Sequence, residues 1–309
     1  MTAFPNDPMR LEPRACPLCG SSRITSVLID EDIRMAALTG LSFASRKVPE
    51  GMHYQMVVCE LCDIAYANPA PDIQWLHDQY VNADFDTVSE SRDAAQNHGR
   101  LIRSMLSRLP DIERVLDIGA GDGALLDVLR GIGFSQVEGV EPSEGPLRAA
   151  SDENQTAIHQ GFFSEMDFAV GKYSLVTCFQ TVEHVEDVKA LTRSVFRLLK
   201  PGGLFLIVCH NFRALTARLL KQRSPIFDIE HLQLFSSASL RYLLDDAGYE
   251  DITIAPFSNR YPLDYWFKLA PMPTKLQDLG QRLLCVTKLS QLYVSLRAGN
   301  LYGCGISRS

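Results

Sequence analysis

Short apolar runs alternate with stretches of helical spacing along the chain from residue 111 onward. Continuous apolar runs are typical of buried strands, and apolar positions spaced by one helical turn are typical of helices packed on one face. The predicted elements are, in order, strand 114–118, helix 124–131, strand 136–141, a short strand near 156–159, strand 174–179, helix 188–199 and strand 203–209. This alternation predicts an α/β fold with a largely parallel, doubly wound sheet.

The C-terminal part continues with a helix over 236–247, a strand over 252–255 and a final strand over 300–306. Between these two strands, residues 260–297 form a predicted apolar and mostly helical insertion. Because an amphipathic helix most often covers a core, we favour a simple packing role for it. A lid over a site, a dimer surface and a contact with a lipid-linked substrate are the alternatives.

The first part of the chain has a different character. Residues 16–71 are turn-rich, carry two CxxC pairs and end in two prolines, whereas 72–80 and 89–109 have helical spacing. The predicted division is a small module at 1–71, linking helices at 72–110 and a main domain at 111–309.

Composition and charge narrow the class of protein. The chain has 309 residues, 46% of them hydrophobic and 22% charged, so it can bury a large core. It contains no apolar run as long as a membrane helix, and residues 1–14 lack the apolar stretch of a signal peptide, so we expect a cytoplasmic protein. The net charge of -7 argues against nucleic acid as a partner.

Gly119, Gly121 and Gly123 form a GxGxG turn between a predicted strand and a predicted helix. Glycine lets the backbone approach a ligand closely, and the N-terminus of a helix offers unpaired N–H groups. Glu141 ends the next predicted strand, where a carboxylate can accept hydrogen bonds from the ribose of a bound nucleoside. Dinucleotide-binding enzymes have the same arrangement of glycines and a distal acidic residue, so these residues alone leave the cofactor class open.

Three segments in this order resemble the motifs of class I S-adenosylmethionine-dependent methyltransferases. They are 115–126, with the acidic Asp117 before the first glycine, then 173–185, and the Leu-Leu-Lys-Pro-Gly-Gly run at 198–203. The resemblance covers 114–208 and implies a seven-stranded sheet whose last strand is antiparallel. Asp117 and that last strand argue against a dehydrogenase, in which the position of Asp117 is usually apolar.

The resemblance also implies contacts to S-adenosylmethionine. They are Gly119 and Gly121 with the methionine part, Asp117 with its amino group, Glu141 with the ribose, Phe162 with the adenine, and Gln180 at the end of the strand that borders the site. The chain departs from the family at Ser174 and Phe162, because both positions are commonly acidic.

Cys16, Cys19, Cys59 and Cys62 form two CxxC pairs of the kind that deliver thiolates to one tetrahedral Zn²⁺. Four sulfur ligands leave no position for water, so we expect a structural zinc ribbon at the N-terminus. Two separate redox pairs are the alternative, but neither pair lies between a strand and a helix as in a thioredoxin-like motif. The four other cysteines lie singly in apolar stretches, where packing is the simpler interpretation.

Methyl transfer from a sulfonium needs a positioned nucleophile, exclusion of water and, for a hydroxyl or carbon acceptor, a base. Glu183 and His184 follow the fourth predicted strand, at the edge where open α/β sheets bind ligands. His231 precedes helix 236–247, and His210 ends the fifth strand. We predict Glu183, His184 and His231 as catalytic candidates, with His210 as a weaker one. The alternative for each is a capping or loop-orienting role.

The sequence therefore predicts transfer of a methyl group from S-adenosylmethionine to an oxygen or carbon of a small-molecule acceptor. The cysteine module, followed by Tyr66-Ala67-Asn68-Pro69, resembles that of bacterial methyltransferases, some of which act on nucleotide-linked deoxysugars. A sugar, glycan or nucleotide-linked sugar is one candidate acceptor. The alternative is a non-catalytic binding protein that keeps the cofactor fold and presents the zinc ribbon or the insertion to a partner. Whether the chain forms a homo-oligomer is left open.

Overall fold

The computed structural model describes residues 9–44, 50–85, 87–269, 280, 282–287 and 289–308. The first elements are β1 (Leu11–Glu12), β2 (Ile24–Ile29), β3 (Met56–Cys59), β4 (Ala65–Ala67), β5 (Ala70–Pro71), α1 (Ile73–Val81) and α2 (Val88–Met105). The central elements are β6 (Arg114–Ile118), α3 (Ala124–Ile132), β7 (Gln136–Glu141), α4 (Glu144–Ala149), α5 (Asp152–Ala157), β8 (Ile158–Gln160), β9 (Tyr173–Phe179), α6 (Val188–Leu198) and β10 (Leu199–His210). The last elements are α7 (Leu215–Leu220), β11 (Gln233–Leu234), α8 (Ser237–Asp246), β12 (Glu250–Pro262), α9 (Leu263–Leu269) and β13 (Tyr293–Ile306).

The largest sheet has seven strands in the order β12-β13-β10-β9-β6-β7-β8. The five strands from β10 to β8 pair in parallel, and β13 pairs antiparallel with β10 and with β12. Helices connect most of the parallel strands, as crossover connections in such a sheet require. This confirms the predicted α/β fold with a seven-stranded sheet and an antiparallel last strand.

The helices on the sheet are amphipathic, as their sequence spacing predicts. In α6, the side chain of Asp187 caps the N-terminus by accepting from the N–H of Ala190 at 2.9 Å. The same helix buries Leu191, Val195 and Leu198 against the sheet, which fixes its orientation. No helix in the described ranges is long and apolar enough to cross a membrane.

A second sheet has four strands in the order β11-β4-β3-β2, and its edge strand β11 comes from a part of the chain far beyond the other three. Gln233 of β11 pairs with Tyr66 of β4. The same buried apolar cluster contains Ile64 from the cysteine module and Phe235 from the main domain. Residues of the cysteine segment and residues far along the chain therefore share one sheet and one core.

β12 and β13 extend well beyond the short strands that the sequence predicts here. Their pairing continues to Pro262 and Tyr293, so both ends of the predicted insertion 260–297 are strand. Its middle contains α9 and a helical segment at 282–286, and 270–279 lie outside the described residues. The strand extensions are largely half-buried or exposed, and they lack the continuous apolar run by which buried strands are predicted.

Candidate functional site

The turn between β6 and α3 has a backbone geometry that glycine adopts most easily. Gly119, Gly121 and Gly123 have φ values of 82°, 57° and 78°. The N–H of Gly119 donates to the carbonyl of Val140 at 2.9 Å, which ties the turn to β7. Apart from Gly121 and its two chain neighbours, no atom of the described residues lies within 4 Å of where a Cβ on Gly121 would stand. The turn therefore leaves room for a ligand at the N-terminus of α3.

Glu141 ends β7 beside this turn, and its carboxylate is held in place by backbone N–H groups. Oε2 accepts from the N–H of Gly121 at 2.9 Å, and Oε1 accepts from the N–H of Ser143 at 2.9 Å. The residue is only 7% exposed. A fixed carboxylate next to an open glycine turn is suited to accept hydrogen bonds from two neighbouring hydroxyls, as in a ribose.

A cavity of about 870 Å³ runs from the glycine turn along the carboxyl ends of the parallel strands. Its wall contains most of the residues that the sequence predicts for the site, namely Gly119, Gly121, Glu141, Phe162, Gln180, His184, His210 and His231. Asp117 and Glu183 are not part of this wall. The fold thus brings most of the predicted cofactor residues and the predicted histidines to one cavity.

Gln180 and Asp117 differ in how they relate to the cavity. Gln180 has a φ of 53°, which is uncommon for a residue with a side chain, and its Nε2 has no hydrogen-bond partner among the described residues. A strained residue with an unpaired amide in a cavity wall is typical of a ligand-contacting position. Asp117 is buried behind the turn, where its Oδ1 accepts from Thr177 Oγ1 at 2.6 Å.

Three histidines meet at the carboxyl ends of the parallel strands. The ring centroids of His184 and His231 are 4.9 Å apart, and those of His210 and His231 are 5.1 Å apart. His210 Nδ1 lies 2.9 Å from the Oδ1 of Asn300, and burial lowers the pKa of His210 to about 4. Because Oδ1 can only accept, Nδ1 carries the proton and Nε2 the lone pair. His210 is therefore an uncharged base at neutral pH.

The other two histidines are anchored to backbone carbonyl groups. His184 Nδ1 lies 2.9 Å from the carbonyl oxygen of Glu230, and Nε2 lies 3.1 Å from that of Gln180. His231 Nδ1 lies 2.9 Å from the carbonyl oxygen of Ile226. These contacts fix both rings between the loop after β9 and the loop before β11.

Glu183 is fully buried beneath the cavity floor rather than exposed to it. Its Oε1 accepts from the backbone N–H of His210 at 2.7 Å, and its Oε2 has no partner in the part of the chain that the structure describes. Burial raises the pKa of Glu183 above its ordinary value of 4.5. This contact corresponds to the loop-orienting alternative for Glu183.

Several residues that sequence reasoning does not single out also border the cavity. The ring of His77 on α1 stacks on Phe162 with centroids 3.9 Å apart. The Tyr80 hydroxyl donates to the carbonyl of Glu230 at 2.7 Å and lies 3.0 Å from His184 Nδ1. The helical spacing of apolar residues predicts α1, but it does not indicate where on the sheet α1 packs.

The four cysteines of the N-terminal module converge, as predicted. Their sulfur atoms lie within 4.8 Å of one another, with Cys16 to Cys62 and Cys19 to Cys59 each at 3.4 Å. None of them forms a disulfide. The hydrogen bond with Cys62 lowers the pKa of Cys16 to about 5, which favours a thiolate.

Residues 55–254 match the family model described as a methyltransferase domain. The chain belongs to this methyltransferase family. The match identifies the chain as a methyltransferase, which argues for a methyl donor rather than a dinucleotide at the glycine turn. It extends from β3 through the main sheet to β12, and therefore includes the second cysteine pair.

About half of the chain is similar in sequence to O-methyltransferases of bacteria. The chain is 27% identical over 170 residues to the ubiquinone biosynthesis O-methyltransferase of Thiobacillus denitrificans. The aligned region is 49% of this chain and 73% of that protein. The corresponding enzyme of Pseudomonas paraeruginosa is 28% identical over 167 residues, covering 48% and 72%. Among solved structures, a methyltransferase of Thermotoga maritima is 18% identical to this chain, with a TM-score of 0.48. The match covers 70% of this chain and 90% of that one. A methyltransferase of Archaeoglobus fulgidus is 16% identical, with a TM-score of 0.46, and the match covers 76% of this chain and 100% of that one.

One of the two departures from the family pattern lies away from the cavity. Ser174 is at the start of β9, where its hydroxyl donates to the carboxylate of Asp111. Phe162 forms part of the cavity wall, with 40% of its surface exposed. Only the position of Phe162 therefore bears on how a cofactor is held.

Alanine at Gly119 is expected to destabilise the methyltransferase by about 1–3 kcal/mol. The added Cβ would clash with the side chain of Thr181, on a backbone whose φ is 82°. In the matched variant Gly121→Ala, the φ of 57° is also unfavourable for alanine, but the added Cβ meets open space. We therefore expect a smaller loss of stability, about 1 kcal/mol, together with weaker cofactor binding. Urea unfolding measures both variants, and equal losses would contradict this account of the turn.

Glutamine at Glu183 is expected to make stability less dependent on pH. Because burial raises the pKa of Glu183 above 4.5, the folded state holds this proton more tightly than the unfolded state, and stability is lost as the pH rises through the folded pKa. Glutamine stays neutral and removes that loss. Urea unfolding should give Glu183→Gln no advantage at about pH 4 and a gain over wild type at about pH 8. A constant difference at the two pH values would refute the assignment.

Proposed function

We propose that the methyltransferase transfers the methyl group of S-adenosylmethionine to a hydroxyl oxygen of a small-molecule acceptor. The observation that carries the proposal is the cavity of about 870 Å³, which joins the glycine turn and Glu141 to the histidines at the strand ends. The two O-methyltransferase relatives support oxygen as the acceptor atom. Cofactor and acceptor would share one cavity, as the reaction requires.

The residues of the cavity fit S-adenosylmethionine by the chemistry of their donors and acceptors. Glu141 would accept hydrogen bonds from the ribose hydroxyls, and Phe162 would pack on the adenine. Gly119, Gly121 and the unpaired amide of Gln180 would border the methionine part. Asp117 would act from behind the turn through its electrostatic attraction for the amino group.

The chemistry of the acceptor end follows from the balance of the reaction. The bond from sulfur to the methyl carbon breaks as the bond from oxygen to that carbon forms, the sulfonium becomes a thioether, and the hydroxyl proton must leave. His210 is suited to take this proton, since Asn300 holds its Nδ1–H and Nε2 keeps the lone pair. His184 and His231 are proposed to assist deprotonation, and Glu183 to position the backbone of His210.

We propose that the acceptor is a hydroxylated ring, either a phenol or a sugar. Tyr261, Tyr265 and Trp266 form an aromatic cluster in the cavity wall. The ring centroids of the two tyrosines are 4.3 Å apart, and those of Tyr261 and Trp266 are 5.6 Å apart. Aromatic faces pack well on flat apolar surfaces and offer polar edges. The relatives named for ubiquinone biosynthesis favour the phenol.

We also propose that Cys16, Cys19, Cys59 and Cys62 hold a structural Zn²⁺. Zn–S bonds of about 2.3 Å in a tetrahedron place the sulfurs about 3.8 Å apart, and the sulfur separations of 3.4 Å are close to this spacing. The N–H of Leu61 lies 3.4 Å from the Cys59 sulfur, which suits a thiolate ligand. With four thiolates, the ion would stabilise the module and take no part in methyl transfer.

A turnover assay with purified enzyme and methyl-labelled S-adenosylmethionine tests the proposed reaction. The panel contains catechol-like phenols, simple sugars and nucleotide-linked sugars, with mass spectrometry of each product. We expect label on an oxygen of one class and none without enzyme. Tight binding of S-adenosylhomocysteine with no transfer to any acceptor would favour the non-catalytic binding protein instead.

A further inference from the structure

Helix α7 and the chain that leads into β13 leave large apolar side chains exposed. Leu215 and Leu219 lie one helical turn apart on α7 and are 68% and 72% exposed. Others, between 44% and 82% exposed, lie in the helical segment at 282–286, in the residues after it and in β13, namely Leu283, Val286, Leu289, Leu292 and Leu296. We refer to all of these side chains together as the apolar surface. Exposed apolar side chains that are grouped rather than scattered indicate an interaction surface.

The two segments that carry the apolar surface adjoin each other and the cavity. Thr216 Oγ1 of α7 donates to the carbonyl of Ala298 in β13 at 3.4 Å. The N–H of Asn211, shortly before α7, donates to the carbonyl of Gly299 at 2.8 Å. Ala298 is part of the cavity wall, and so is Leu269 of α9. The apolar surface therefore lies on elements that also border the cavity.

These two segments carry only basic charge, although the net charge of the chain is -7. Residues 214–227 and 279–307 contain no aspartate or glutamate, and their cations are Arg218, Lys221, Arg223, Arg282, Lys288 and Arg297. Arg218, Lys221 and Arg297 are exposed, and none of the three forms an ion pair with another residue in the part of the chain that the structure describes. Because charges in physiological salt act over only about 8 Å, these local cations decide what the surface attracts.

Exposed leucines among cations of this kind fit the surface of an anionic lipid bilayer. Apolar side chains gain free energy by entering the boundary between headgroups and acyl chains, and neighbouring lysines and arginines are attracted to the lipid phosphates. A second copy of the chain fits less well. Self-association through identical surfaces would bring the same cations together, and they would repel one another where water is excluded.

We propose that the apolar surface docks on an anionic lipid bilayer. Leu215 and Leu219 would enter the bilayer interface, while Arg218 and Lys221 would lie at the level of the phosphates. The protein would then lie on the membrane rather than span it. The cavity would open close to the lipid, where an acceptor with an apolar tail would reach it directly, and this last step alone rests on the proposed function.

Sedimentation of the full-length protein with sucrose-loaded vesicles tests this surface. Vesicles of phosphatidylcholine and phosphatidylglycerol in equal parts are compared with vesicles of phosphatidylcholine alone. We expect wild type to bind the anionic vesicles about tenfold or more tightly than the neutral ones, and high salt to remove this preference. Replacing Arg218 and Lys221 together by glutamine should lower affinity for the anionic vesicles and leave binding to the neutral ones unchanged.

A second pair of variants tests the apolar contribution. Leu219→Glu should lose about tenfold or more in affinity for the anionic vesicles, since it removes an inserting side chain and adds a carboxylate. Val170→Glu is the matched control, because Val170 is 62% exposed and lies before β9, outside both segments. It adds the same charge and should bind as wild type does.

Isothermal titration with S-adenosylhomocysteine shows that each variant keeps its fold and its cofactor site. Wild type that binds no vesicle, or Leu219→Glu that binds as tightly as Val170→Glu, would overturn the proposal. Self-association through Leu219 in light scattering, without vesicle binding, would overturn it in favour of a second copy. Vesicle binding that depends on Leu219, with no methyl transfer to any acceptor, would support the surface and count only against the proposed reaction.

Discussion

Serine at Cys59 is expected to abolish the proposed zinc site and to lower the free energy of unfolding by about 5 kcal/mol. Cys59 is 1% exposed on β3, in the centre of the small sheet. A four-coordinate zinc site contributes its binding free energy to folding, and a hydroxyl is a poor replacement for a thiolate ligand. The loss should therefore exceed that of an ordinary core substitution.

The effect should also reach the cavity, because the small sheet is linked to it. Gln233 of β11 pairs with β4, and its Nε2 donates to the carbonyls of Val182 and Val185 at 2.7 Å each, on either side of His184. Elemental analysis and urea unfolding measure the two losses. Cys285→Ser is the control, since Cys285 is exposed and outside the cluster. Full stability of zinc-free Cys59→Ser would contradict a structural role for the ion.

Alanine at Glu141 is expected to weaken binding of S-adenosylhomocysteine by about 10- to 100-fold. The change removes charge-assisted hydrogen bonds to the ribose that are worth about 1.5–3 kcal/mol. It also removes the acceptor that fixes the N–H groups of Gly121 and Ser143, so the turn loses a support. Isothermal titration calorimetry measures the affinity directly.

Glu144→Ala is the matched control for this change. Glu144 lies at the start of α4, three positions further along the chain, and its carboxylate pairs on the surface with Arg148 at 2.9 Å. Loss of an exposed pair has little effect, so the affinity should stay within about twofold of wild type. If Glu141→Ala binds as tightly as Glu144→Ala, Glu141 has another role.

The parts of this fold that local pattern determines could be predicted closely. The segments 114–118 and 136–141, both predicted as strands, correspond to β6 and β7 with the same bounds. The glycines between β6 and α3 indicate a tight turn, because few other residues accept their φ values. Position at the end of β7 was enough to place Glu141 at the cavity.

Contacts between distant parts of the chain could not be predicted in this way. Nothing in the sequence near Gln233 indicates that β11 completes the sheet of the cysteine module. Asn300 faces His210 only because β13 pairs with β10 in one particular register. The stacking of His77 on Phe162 depends on how α1 packs over the sheet.

The neighbours Glu183 and His184 show a further limit of motif reasoning. Both follow β9, and both are therefore predicted at the same edge of the sheet. In the structure the carboxyl of Glu183 is buried against the N–H of His210, while His184 borders the cavity. Adjacent side chains at a strand end point in different directions, and a motif does not tell which of them faces the ligand.

Transfer of a labelled methyl group in an extract of the host tests the central claim most directly. The purified, zinc-loaded enzyme is incubated with deuterated-methyl S-adenosylmethionine and small molecules of the extract, and mass spectrometry finds the labelled product. We predict label on an oxygen of one small molecule with wild type and Glu144→Ala, and strongly reduced label with Glu141→Ala at the same cofactor concentration. Absence of label with a wild-type enzyme that binds S-adenosylhomocysteine would contradict the account.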